Sequence, residues 1–110
     1  MALTLTTKQR AYLRSLAVNE RPVLSIGKEG VTPEVVLSAE EALAKRELIK
    51  INVQKSFEGE IKEAAETVAS RSRSVLVQIM GRKITLYRPA KKPEIILPKK
   101  KDKVGKPKDA

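Results

Sequence analysis

Apolar residues recur at helical spacing in three stretches of the chain and cluster or alternate, as in strands, in four others. The first helix is expected to start at Thr6 or Thr7. Thr6-Thr7-Lys8-Gln9 fits a capping box, with the Thr6 hydroxyl and the Gln9 amide closing the first turn on each other. Gln9, Tyr12, Leu13, Leu16 and Ala17 then share one helical face, which is expected to look into a core. Pro22 stops the helix soon after Val18. Val23 to Ile26 is apolar enough to read as a central strand. Thr32 reads as the N-cap of a second helix, with Pro33 at its first position and Glu34 in the acid-favouring first turn. Val35, Val36, Ala39, Ala42 and Leu43 make its buried stripe, and Lys45-Arg46 close it with cations.

Leu48 to Gln54 alternates Ile49, Ile51 and Val53 with Lys50, Asn52 and Gln54, the mark of a strand covered on one face. A third helix is expected over residues 58–70, with Ile61, Ala64, Ala65, Val68 and Ala69 inward. Its glutamates Glu58, Glu60, Glu63 and Glu66 make that surface acidic, and a polyanion should avoid it. Val75 to Met80 and Lys83 to Arg88 are two strands joined at Gly81-Arg82, a hairpin by composition and spacing. Pro89 ends the second, and Glu94 to Leu97 is a short segment suited to an edge strand. The predicted order is helix, strand, helix, strand, helix, strand, strand. Each strand–helix–strand passage implies a parallel crossover, and the last two strands pair antiparallel. That is an α/β (α+β) fold, a mixed four-stranded sheet packed with helices.

Charge sharpens this picture. The formal net charge is +10, of which residues 98–110 contribute +4 from six lysines and two aspartates, leaving +6 on residues 1–97. The division expected is a folded domain over 1–97 and a lysine-rich disordered tail over 98–110, too charged to pack. A basic domain favours a polyanionic partner. The absence of cysteine and histidine removes disulfides, the usual zinc ligands and Ser–His or Cys–His nucleophilic catalysis. The glutamates sit at spacings that solvation and helix dipoles explain, so no catalytic group, metal site or cofactor is expected and an enzyme is the disfavoured class. No secretion signal pattern opens the chain and no apolar run approaches the ~20 residues of a membrane-spanning helix. A soluble protein of the cytoplasm, with no membrane or small-molecule partner, is the economical reading.

One stretch carries candidate chemistry. In Val23 to Pro33 a strand runs into Gly27-Lys28-Glu29-Gly30 and then into a capped helix. Glycines permit a tight turn, a helix N-terminus adds unpaired donors and partial positive charge, and Lys28 adds a full one. A phosphate fits there, and the KH domain uses a Gly-x-x-Gly loop to clamp RNA backbone. A turn that only links strand to helix stays open as the other reading, and Glu29 partly cancels Lys28. The loop is too short for a Walker motif. Tyr12, Phe57 and Tyr87 are the only aromatics, which argues against a base-stacking sheet of the RRM kind. Recognition should rest on phosphates, sugars and RNA shape. Lys50, Arg82, Lys83, Arg88, Lys91 and Lys92 are the further candidate contacts, with Arg10 and Arg14 either contacts or an ordinary solvated face.

Four segments together resemble a known family. They are Leu5-Thr6 with Lys8-Gln9-Arg10 and Leu13-Arg14, Ile26 to Thr32, Glu47 to Ile51, and Gly81 to Arg88. In this order, over roughly residues 3–97, they are similar to the YhbY family, the stand-alone bacterial form of the CRM (chloroplast RNA splicing and ribosome maturation) domain. The resemblance implies a fold similar to the C-terminal domain of translation initiation factor three. It also implies an RNA-binding accessory factor associated with precursors of the large ribosomal subunit, contacting ribosomal RNA. The Gly-x-x-Gly loop of the family falls on Gly27, Lys28, Glu29 and Gly30, and its basic strand and hairpin positions on Lys50, Arg82 and Arg88. The lysine-rich tail lies outside the shared pattern. A permanent ribosomal protein and a protein–protein adaptor working through the sheet edge near Ile95-Ile96 are the alternatives.

Overall fold

The computed structural model describes residues 5–89. Lys91, Lys92, the segment Glu94 to Leu97 and the lysine-rich tail lie outside them. The seven elements follow the predicted order: α1 (Thr7–Ala17), β1 (Pro22–Ile26), α2 (Pro33–Arg46), β2 (Leu48–Val53), α3 (Ile61–Arg71), β3 (Val75–Met80) and β4 (Lys83–Tyr87). Local chemistry sets several boundaries. The capping box is formed, Thr6 Oγ1 accepting from the Gln9 amide while Gln9 Oε1 accepts from the Thr6 amide, both at 3.0 Å. Thr32 caps α2 by accepting from the Val35 amide at 3.2 Å. Helix α3 starts three residues later than expected, with Glu60 at its N-cap and no side-chain cap bond.

The sheet order is β1-β2-β4-β3. Strands β1 and β2 are parallel, while β4 runs antiparallel to both of its neighbours. The hairpin therefore places β4 between β2 and β3, and the β2–α3–β3 passage crosses over it. Strand β1 is an edge strand, which corrects the reading of Val23 to Ile26 as central. Only Ile26 is fully buried; Leu24 is half-buried beneath the helices and Val23 is 37% exposed. An apolar run can mark a strand buried on both faces, but here its members serve one face. Pro22, which lacks an N–H to share, is tolerated at an edge.

Two cores lie on the two sides of the sheet. Helices α2 and α3 cover one side, where Ile49, Ile51, Val53, Ile84 and Leu86 meet Ala39, Leu43, Ala64, Ala65 and Val68. The alanines let these helices approach the strands closely. On the other side α1 packs Leu13 and Ala17 onto Leu48, Val77 and Tyr87. Leu48 thus belongs to a second core, and the far face of β2 is covered at one end. Tyr12, expected on the inward stripe of α1, is 38% exposed. The stripe that packs is the narrower one of Gln9, Leu13, Leu16 and Ala17.

Glu47 and Arg73 have positive φ, 64° and 61°, just beyond α2 and α3, where helices commonly end in glycine. The Glu47 amide donates to Leu43 O at 2.9 Å and its carbonyl accepts from the Arg88 amide at 2.8 Å. Burial, and then the nearby Glu47 carboxylate, hold the Tyr87 phenol above its ordinary pKa of 10.0. The phenol of the unfolded chain therefore ionises first. The stability it confers is complete below the unfolded pKa and is lost as pH rises through the folded one. Tyr87→Phe should accordingly lose less stability than the wild type between about pH 9 and about pH 11, as read by urea denaturation at both pH values.

Candidate nucleic-acid interface

Three loops meet at one end of the sheet. The Gly27–Gly30 loop follows β1, residues 54–60 follow β2, and the β3–β4 turn brings Gly81 and Arg82 beside them. Backbone and side-chain bonds tie them together. The Gln54 amide donates to Ile26 O at 2.8 Å, the Val53 amide to Arg82 O at 2.7 Å, and Arg82 Nη1 to Gln54 O at 3.1 Å. Packing adds to this. A Cβ on Gly30 would lie 3.6 Å from the Phe57 ring, and one on Gly59 only 2.8 Å from it. The Phe57 side chain is thus a wedge between the two glycine-bearing loops.

Only one glycine of the Gly-x-x-Gly loop is required by its conformation. Gly30 has φ +76°, whereas Gly27 is close to Gln54, whose Oε1 would lie 2.9 Å from an added Cβ. The Gly30 amide donates to Gly27 O at 2.9 Å and is internal to the turn. The amides of Lys28 and Glu29 make no hydrogen bond among the described residues. Both side chains are exposed. The loop therefore presents two free backbone donors, one cation and one carboxylate.

The nine candidate residues that fall within the described part of the chain separate into two groups. Gly27, Lys28, Gly30, Arg82 and Lys83 are brought together at the loop end. Lys50 joins them along the open sheet face, because Lys83 pairs with Asn52 and Asn52 with Ser25, the row directly above Lys50. Arg88 stands at the other end of β4. With a rise of about 3.4 Å per strand residue it is roughly 17 Å from Lys83. Its Nη1 donates to Ser72 O at 2.9 Å, behind the C-terminus of α3. Arg10 is also structurally engaged. Its Nη1 donates to Leu76 O at 2.5 Å and Val77 O at 2.8 Å, where the pairing of β3 with β4 slips by one residue. The guanidinium satisfies carbonyls that an irregular edge strand leaves turned outward. Arg14 is exposed. Arg10→Ala should destabilise the fold by about 1–3 kcal/mol, while Arg14→Ala should stay within about 0.5 kcal/mol, as measured by chemical denaturation.

Lys55, absent from the candidates that the sequence suggests, belongs to the loop group. A usable signal exists. Parallel strands β1 and β2 end on the same side, so the residues just after each of them must be neighbours, and Lys55 follows β2 as Lys28 follows β1.

Charge divides the molecule by face. No acidic residue occurs in α1 or in any of the four strands, whereas α2 carries Glu34, Glu40 and Glu41 and α3 carries Glu63 and Glu66. The open sheet face with α1 is therefore basic, and the helical side is mixed and partly acidic. Glu58 and Glu60, expected on α3, fall instead in the loop that bears Lys55, so that the loop end carries both signs. Arg46 pairs with Glu20 at 3.7 Å, away from the loop end. Lys28, Lys50, Lys55, Arg82 and Lys83 have no acidic partner among the described residues. Unpaired cations on one face form a field that attracts anions.

Three helices on a mixed four-stranded sheet, with a Gly-x-x-Gly loop and several lysine and arginine residues at the strand ends, define an α+β domain with one basic face. The chain belongs to the CRS1/YhbY (CRM) domain family, which it matches over residues 5–88. It is 41% identical over 87 residues to YqeI of Bacillus subtilis (strain 168), a protein named as a probable RNA-binding protein. That match spans 79% of this chain and 91% of the other. It is 34% identical over 97 residues to a protein of Haemophilus influenzae named as an RNA-binding protein, spanning 88% and 98% of the two chains. The solution structure of SAV1595 from Staphylococcus aureus, described as a candidate RNA-binding protein, superimposes with a TM-score of 0.75 at 44% identity. It covers 86% of this chain and 100% of that one. These relatives carry RNA-binding names rather than enzyme names.

Proposed function

We propose that this protein is a non-enzymatic RNA-binding accessory factor of large ribosomal subunit assembly, acting in the cytoplasm on ribosomal RNA of precursor particles. The observation that carries the reading is the acid-free basic face, continuous with the loop end, in a family whose relatives bear RNA-binding names. Lys28, Lys50, Lys55, Arg82 and Lys83, with the free amides of the Gly27–Gly30 loop, are the contact groups. Arg10 and Arg88 act on the fold. The protein holds or shields an RNA element while neighbouring parts of the particle fold, and its affinity falls steeply with salt because the contacts are to phosphates. Crosslinking in cells, with the bound transcript sequenced and the gradient position of the protein recorded, tests this. Reads in large-subunit ribosomal RNA and sedimentation with its precursors are expected. Stoichiometric presence in salt-washed mature ribosomes would instead make it a structural ribosomal protein. Negligible RNA affinity at low salt would favour a protein–protein adaptor.

A further inference from the structure

The half of the sheet that α1 leaves open is unlike a base-stacking platform. By register, Ser25, Asn52, Lys83 and Met80 form one row across the four strands, and Lys50 and Gln78 lie in the next, on either side of Thr85, which is itself buried. These rows present hydroxyl, amide and ammonium groups. Met80, 63% exposed at the end of its row, is the apolar exception. No aromatic ring is available on them. Tyr87 lies one row further on, buried in the core beneath α1, and the Phe57 ring is packed against Gly30 and Gly59. Tyr12 belongs to α1, so a run of unpaired bases has at most one half-exposed ring to start on.

We propose that this face takes a double-helical, A-form segment of RNA, across its wide and shallow minor groove, in preference to a single strand. The inference rests on the RNA-binding function proposed above and names the form of RNA that the site accepts. Sequence-tolerant binding of single strands relies on stacking bases against aromatic side chains, which this surface lacks. In a duplex the bases already stack on one another, and the minor groove displays 2′-hydroxyls between two lines of phosphates. Asn52 and Ser25 both donate and accept, which suits a hydroxyl that does the same. Lys50 and Lys83 flank Asn52 on the same face. Lys28, Lys55 and Arg82 stand at the ends of the strands, where they meet phosphates bordering the groove. The four-strand row spans about 14 Å at the usual strand spacing, a surface for a helix side rather than for one extended strand.

The full chain would be titrated, at one ionic strength, with three probes: an RNA duplex of about 16 base pairs, one of its strands chosen to lack self-structure, and the DNA duplex of the same sequence. The RNA duplex should bind at least about tenfold more tightly than either competitor. Asn52→Ala changes no charge, and it should weaken RNA-duplex binding about three- to tenfold while leaving DNA-duplex binding unaltered. The inference is overturned if the RNA duplex is held no more tightly than either competitor. It is also overturned if a folded Asn52→Ala protein loses nothing on RNA or loses equally on both duplexes. If none of the three probes binds even at low salt, the RNA-binding function itself falls.

Discussion

Replacing Leu13 by alanine should lower the unfolding free energy by about 3 kcal/mol. Leu13 is fully buried, and it joins α1 to a small core of Leu5, Ala17, Leu48, Val77 and Tyr87. A helix of 11 residues is marginal on its own in water and depends on this packing. Truncation removes the side chain that lies between the helix and the sheet, and the cavity closes poorly where a rigid tyrosine ring forms part of its wall. For a domain near this size the loss corresponds to a fall in Tm on the order of 12–20 °C. Thermal and urea denaturation read it directly. A change below about 1 kcal/mol would show that α1 is not part of the cooperative unit. The consequence for function follows from position, because α1 decides which half of the sheet is covered and which half stays open.

Reversing two charges at once, with Lys28→Glu and Lys83→Glu, should weaken RNA binding by on the order of 100-fold at low salt and flatten its salt dependence by about two in the log–log slope. Both side chains are exposed, and neither has an acidic partner among the described residues, so the fold should be unaffected. Two lost phosphate contacts account for the slope, and two added carboxylates increase the loss by repulsion. Lys28→Glu alone should show part of the effect, and Glu29→Lys should strengthen binding if RNA passes the loop. Titrations at several salt concentrations, alongside a thermal melt of each variant, give the answer. An unchanged affinity for the double variant would remove the loop end from the interface.

Much of this architecture is legible in the sequence because its determinants are local. Thr6 with Gln9, and Thr32 followed by Pro33, announce their helix starts through bonds that span three residues. Ile49, Ile51 and Val53 mark a strand by a period of two, and Gly81-Arg82 marks a hairpin by its length. The place of β1 is not legible in the same way. Val23 to Ile26 has the composition of a central strand, yet edge or centre is decided by where β4 inserts, and that depends on strands more than fifty residues later. Tyr12 falls outside the packed stripe of its helix because 3.6-residue periodicity defines a broad apolar face but not which edge of it meets the sheet.

The candidate site divides along the same line. That Gly27 to Gly30 is a glycine turn with one lysine, opening a capped helix, is written in the chain itself, as is the overall basic charge. Three further facts come from the tertiary structure. Lys55 lies in the loop neighbouring Lys28, Arg10 bonds the carbonyls of Leu76 and Val77, and Arg88 stands at the far end of β4. Each concerns residues distant in sequence whose approach depends on strand order and on the direction of each strand. Residue order alone specifies the seven elements and the Thr6 and Thr32 caps, the exclusion of histidine and cysteine chemistry, and a charge that favours a polyanion. Those follow from residue type and from contacts a few positions long. Only the folded chain brings certain cations side by side, engages Arg10 and Arg88 in bonds to backbone carbonyls, and joins the acid-free strands and α1 into one face. Those depend on long-range packing, which no local pattern encodes.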